Sequence, residues 1–203
     1  MHVNRLRRHL YLMLVTTWLL VASLFLPYAS LWERISVASA WICMAFLCGA
    51  LLIGPVYRME GRAPQLNIYL RRDLGIWGAV TGLLHFVAGK VVAMNPLYIG
   101  SFVRGAVYPP DAAVREQLFS GGAILGLLIA IIFLVLLAIS SDRALRGLGA
   151  KLWTRLQRSA YIAMWLTVAH GIAFQILEAR FFPLLILVVM SVALFGMRLR
   201  ASR

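Results

Sequence analysis

Six long runs of apolar side chains dominate the chain, and no other feature limits its fold as strongly. Leu10–Pro27, Ile35–Tyr57, Leu118–Ser141, Ser159–Leu177 and Phe181–Met197 contain no Asp, Glu, Lys or Arg. Leu74–Gly89 is equally clean until Lys90, and apolar residues continue to Phe102. A helix rises about 1.5 Å per residue, so each run reaches, or nearly reaches, across a hydrocarbon core of about 30 Å. With 62% hydrophobic and 13% charged residues among 203, a single water-soluble core could not hide the apolar surface. That composition excludes a soluble enzyme, a disordered tail and a secreted disulfide scaffold. The expectation is an all-α integral membrane protein, a six-helix transmembrane bundle forming one domain over residues 1–203. Its helices fall at about 10–27, 35–57, 74–95, 118–141, 157–177 and 181–199.

The basic residues set the expected orientation. With the N-terminus in the cytoplasm, fifteen of the 20 basic residues fall in inside segments. Arg34, Arg104, Arg115 and Arg180 fall outside, and Lys90 lies within the third span. This bias predicts that both termini are cytoplasmic. The net charge of +13 is divided among short segments and forms no continuous nucleic-acid patch. The first run follows Arg5, Arg7, Arg8 and His9 much as a signal peptide would. No small-residue cleavage site follows Leu26-Pro27, so it reads as a retained helix. The longest connection is the outer segment Asn95–Phe119, which contains Tyr108-Pro109-Pro110-Asp111. Cys43 and Cys48 are five residues apart on different sides of one helix and read as packing residues rather than a disulfide.

Ionisable residues inside the bilayer are costly and mark candidate sites. His2 and His9 belong to the basic N-terminal segment and are expected to face solvent or headgroups. His85 lies twelve residues after Asp73, and His170 lies twelve after Arg158. Helices 3 and 5 run in the same direction, and twelve residues rise about 18 Å in each. Both imidazoles therefore sit at one depth, near mid-membrane or slightly past it. In helix 3, Gly75, Gly78, Gly82, His85 and Gly89 share one stripe. Ala160, Ala163, Thr167, His170 and Phe174 repeat the same spacing in helix 5. Two small-residue grooves with a histidine at matched height suit a flat macrocycle held between two helices. Such stripes also serve ordinary close helix packing. Bis-imidazole ligation fills both axial positions of an iron and favours electron transfer over oxygen binding.

Arg71-Arg72-Asp73-Leu74-Gly75-Ile76-Trp77 with Leu84-His85 resembles the third-helix signature of the ferric-reductase-like transmembrane family. Leu148-Gly149, Trp153, Leu156, Tyr161 and His170 are similar to its fifth-helix pattern, and Ala138-Ile139-Ser140-Ser141-Asp142-Arg143 resembles the close of its fourth helix. The resemblance implies a b-type haem slot between helices 3 and 5, with His85 and His170 as metal ligands. It implies electrons entering from a cytoplasmic donor, a flavin reductase or quinol, with FMN or quinone as an accompanying cofactor. They would leave to an outer acceptor, either a periplasmic methionine sulfoxide reductase catalytic subunit or ferric iron. The setting so implied is the bacterial inner membrane. Many relatives carry a second histidine on helices 3 and 5; Gln157 stands at one of those positions, and helix 3 has none, so one haem is expected. Glu116-Gln117-Leu118-Phe119 also departs from the start of helix 4 found in the methionine sulfoxide branch.

Cofactor-binding candidates are Gly78, Gly82, Gly89, Ala163 and Thr167 of the stripes, with Lys90, Arg71, Arg72, Gln157 and Arg158. Lys90 either pairs with a haem propionate or reaches to the outer headgroups. The last four either bind propionate, flavin phosphate or a quinone headgroup, or form an ordinary basic collar. Trp77 and Trp153 fit an interfacial belt, although Trp77 could also stack on a cofactor. The competing reading is a cofactor-free transport or assembly protein whose histidines bond between helices. A transporter should show repeated halves and broken helices, and neither is evident.

Overall fold

The computed structural model describes residues 2–28, 30–59, 68–94, 112–178 and 180–201. Among these are seven α-helices: α1 (His2–Ala22), α2 (Leu31–Met59), α3 (Ile68–Ala93), α4 (Ala112–Ala138), α5 (Asp142–Gln157), α6 (Ser159–Leu177) and α7 (Phe181–Arg200). A short 3-10 turn, Ser23–Phe25, follows α1. Six segments are long and apolar enough to cross a membrane, with α5 and α6 taken as one.

Local chemistry explains where several helices begin. The Ser30 hydroxyl accepts from the Glu33 amide at 3.1 Å, while the Glu33 carboxylate accepts from the Ser30 amide at 3.1 Å. This reciprocal pair satisfies donors that the first turn of α2 would leave open. Ser141 caps α5 by accepting from the Ala144 amide at 3.0 Å. Gly149, with φ of 71°, breaks the helical path inside α5, a conformation that favours glycine.

The longest contact in the bundle runs between antiparallel α2 and α3, and α4 and α6 form the second close pair. α3 touches α4, α6 touches α7, and α7 returns to α2. The core gathers Met44, Leu47 and Leu51 of α2, Phe133 of α4, Met164 of α6 and Leu194 of α7, all essentially buried. Trp18, Phe25 and Phe182 stand exposed on the outside with many aliphatic side chains. So much outward apolar surface is the mark of a face that meets lipid.

α1 packs lightly, and a charge cluster ties its first turns to α3. Asp73 is fully buried (0% exposed). It accepts from Arg8 Nε at 2.8 Å, with His9 Nε2 at 3.4 Å and Arg5 Nε at 3.7 Å. The Trp77 indole donates to His9 Nδ1 at 3.1 Å, which places the proton of a neutral His9 on Nε2, facing Asp73. Arg5 also reaches Asp142, which accepts from Arg72.

Several sequence expectations change at this end. α1 begins at His2 rather than near residue 10, because its basic turn docks on Asp73. His9 bonds within the protein instead of facing headgroups, and Trp77 serves that bond. α3 begins at Ile68, so Arg71, Arg72 and Asp73 lie inside the helix. The segment 142–157, expected as a connection, is helix α5. Ala112–Phe119 of the expected outer segment is the start of α4. Its remaining residues, 95–111, lie outside the described residues, as do Arg62 and Arg203 of the basic tally.

Asp73→Asn should lower stability by about 1–2 kcal/mol, because its cationic partners are about one-third exposed and can turn to solvent. Thermal unfolding in detergent should show that Arg8→Gln combined with Asp73→Asn costs less than the sum of the single changes. Strictly additive costs would show that the two side chains do not act as a pair.

Candidate functional site: two imidazoles across an interhelical cavity

α3 and α6 make little direct backbone contact, and between them lies a cavity of about 430 Å³. α2 and α4 close its sides, and Leu187 of α7 reaches its wall. The volume falls in the range of sites for small organic ligands and cofactors. Trp41, Phe86, Phe119, Phe133 and Phe174 give it an aromatic lining.

His85 and His170 meet across this space, with ring centroids 5.8 Å apart and planes at 79°. His85 Nδ1 lies 2.9 Å from the Ser36 carbonyl oxygen and 3.1 Å from the Ser36 hydroxyl. His170 Nδ1 lies 2.8 Å from the Gly122 carbonyl oxygen. A carbonyl can only accept, so each Nδ1 carries the proton and each neutral ring keeps an Nε2 lone pair. No hydrogen bond engages either Nε2 among the described residues. The tautomer of metal-bound histidines is commonly fixed in this way, by a carbonyl behind the ring.

Glycines on α4 permit this arrangement. A Cβ at Gly126 would lie 3.1 Å from His170 Cε1, and one at Gly122 would lie 2.7 Å from the Phe174 ring. The Phe174 ring in turn sits 4.8 Å from the His170 ring. Charged and polar groups collect where the cavity nears the ends of α3 and α6. Lys90, Gln175, Glu33, Glu178 and Arg180 line it there. Arg180 pairs with Glu178 at 2.6 Å and lies over the Tyr28 ring. Lys90 is exposed, with its ammonium 5.8 Å from the Phe86 ring centre. Gln175 Oε1 is buried without a hydrogen-bond donor among the described residues.

The candidates from the two stripes divide. Gly82, Gly89, Lys90 and Thr167 line the cavity with the two histidines. Gly78 does not; its bare face receives Leu47 and Phe46 of α2. Ala163 is fully buried in the core. At Gly82 a Cβ would enter the space of the Phe133 ring and come within 3.0 Å of Cys43 Sγ. The glycine face of α3 is therefore used largely for close approach of neighbouring side chains, and only part of it borders open space.

Arg71, Arg72, Gln157 and Arg158 lie outside the cavity lining, at the opposite end of the bundle. Arg72 is thirteen residues before His85, about 20 Å along α3, and its guanidinium bonds Asp142. Sequence reasoning missed Ser36, Gly122, Gly126, Gln175 and Arg180. Gly122 and Gly126 carried the same small-residue signal at i, i+4 that marked helix 3. Gln175 follows His170 by five residues, as Lys90 follows His85.

Gly82→Ala should cost about 1–3 kcal/mol by overfilling the space held by Phe133. Adding Phe133→Leu should recover part of that loss in thermal unfolding. A neutral Gly82→Ala would mean that the Phe133 ring has room to move.

Searches of protein families, curated proteins and solved structures return no match to this chain.

Proposed function

We propose that the chain is a membrane-embedded b-type haem electron-transfer protein of the ferric-reductase-like transmembrane family. One observation carries the reading. Two histidines from separate helices face each other at 5.8 Å across a cavity, each with its tautomer set by a backbone carbonyl. The residues present fit the group. Among the described residues no cluster of three or more His, Cys, Asp or Glu could hold a bare ion. A two-histidine donor set therefore suits a macrocycle that brings its own equatorial ligands. Haem bound there would supply a one-electron iron couple.

The remaining work belongs to the chain. His85 and His170 would hold the group through their ring nitrogens, and Ser36 and Gly122 would hold those rings in place. Lys90 places positive charge where the cavity nears the helix ends, suited to a carboxylate of a macrocycle, while Arg180 there is held by Glu178. Gln175 adds an acceptor that a bound hydroxyl or water could satisfy. Trp41, Phe86 and Phe133 keep the interior apolar, which excludes water from the couple.

The basic end would face the cytoplasm of a bacterial inner membrane, following the distribution of Arg and Lys. Arg71, Arg72, Gln157 and Arg158 then belong to the donor side, where a flavin reductase or quinol delivers electrons. The cavity lies toward the outer end, nearer the acceptor. That acceptor is ferric iron or a periplasmic methionine sulfoxide reductase catalytic subunit.

Optical spectra of the purified chain, oxidised and dithionite-reduced, test the reading. The wild type should show a sharp low-spin b-type signal, which His85→Ala or His170→Ala should abolish or turn high-spin. A wild type that takes up no haem, even on reconstitution, would return both histidines to a purely interhelical hydrogen-bonding role.

A further inference from the structure

We infer that the exposed cationic face of α5 is a binding surface for anionic phospholipid headgroups, set in the leaflet at the basic end of the bundle. Length comes first. Asp142–Leu177 spans 36 residues, about 54 Å if wholly helical, against a hydrocarbon core of about 30 Å. The apolar α6 is long enough to occupy that core, so α5 lies beyond it. α5 is also two-sided. Ala144, Leu148, Trp153 and Leu156 pack against the core cluster, and the Trp153 indole donates to the Ile139 carbonyl at 2.8 Å. Arg143, Arg146, Lys151, Arg155 and the following Arg158 are all exposed. They are spaced by three before the bend at Gly149 and by four and three after it, so each half presents its cations on one face.

Charge selects the occupant. Asp73 and Asp142 are the acidic residues at this end among those described, and Arg5, Arg8 and Arg72 engage them. Among the described residues, no carboxylate lies within 4 Å of Arg143, Arg146, Lys151 or Arg155. Leu152 is exposed in their midst (46%), an apolar side chain placed to dip below headgroups. Exposed cations around an outward leucine, on a helix just beyond the hydrocarbon, match a layer of phosphate over acyl chains.

The full chain in mixed micelles, with phosphatidylglycerol and phosphatidylcholine of the same acyl chains, provides the test. Lipid retained through delipidation is counted by native mass spectrometry. Wild type should retain phosphatidylglycerol preferentially, and added salt should weaken that preference. Each cation meeting a headgroup contributes roughly fivefold. Arg143→Gln, Arg146→Gln, Lys151→Gln and Arg155→Gln together should therefore reduce the preference by roughly tenfold or more. The charge-preserving set Arg143→Lys, Arg146→Lys and Arg155→Lys should keep it. Arg198→Gln with Arg200→Gln, at the same end on α7, should leave most of it.

A wild type without preference, or with one insensitive to salt, overturns the proposal even if the glutamine variant fails to fold. So does a loss as large from the α7 pair as from α5. If the folded glutamine variant keeps the wild-type preference, the face is free for an acidic protein partner instead.

Discussion

Inside an apolar bundle a hydroxyl can bond back to a carbonyl of its own helix, as Ser39, Thr81, Thr167 and Ser191 do. His85, His170 and Asp73 instead take their partners from another helix. The contacts across this bundle follow from that demand. His85 reaches the backbone of α2, His170 reaches the backbone of α4, and Asp73 gathers side chains of α1. Helical carbonyls serve twice, because each oxygen has a second lone pair beyond the one used in its own helix. Such pairings cost little when made and are expensive when broken. They fix which helical faces meet, while apolar packing fills the remainder.

The site is a product of that division of labour. α2 supports one histidine from behind and α4 supports the other, so α3 and α6 need not touch. Their separation leaves the cavity. Glycine at 122 and 126 brings the α4 backbone close enough to receive the His170 ring, and the Ser36 region does the same for His85. The rings are held by main-chain groups, which move less freely than side chains would. Sites that depend on exact ligand placement gain from such backing.

Much of this was legible in the residues. Apolar length alone marked the spans, and equal spacing from the last charge placed His85 and His170 at matched depth. Helix ends were harder to read. Arg71, Arg72 and Asp73 looked like the charged approach to a helix, yet a buried ion cluster lets them lie within it. His9 looked like a headgroup contact for the same reason, since the distant Asp73 that holds it is sixty-four residues away. The glycine stripe of α3 was visible as a groove, but periodicity does not say what fills a groove. At Gly78 it is Leu47 and Phe46, and at Gly82 it is Phe133. α5 was hidden because its charges resemble those of a loop, and its apolar residues become meaningful only against the core they cover.

The light packing of α1 bears on the order in which the protein is assembled. Its outward face is apolar along most of its length, and its firm attachment is the polar cluster at its start. The acceptor of that cluster, Asp73, is made fifty-one residues after the last residue of α1. Until then Arg5, Arg8 and His9 lack the carboxylate that holds them, and α1 has only its light packing against α2. Docking becomes possible when the second turn of α3, with Asp73, arrives. The first helix is thus an early insertion and a late recruit, and its attachment reports that α3 has taken its place.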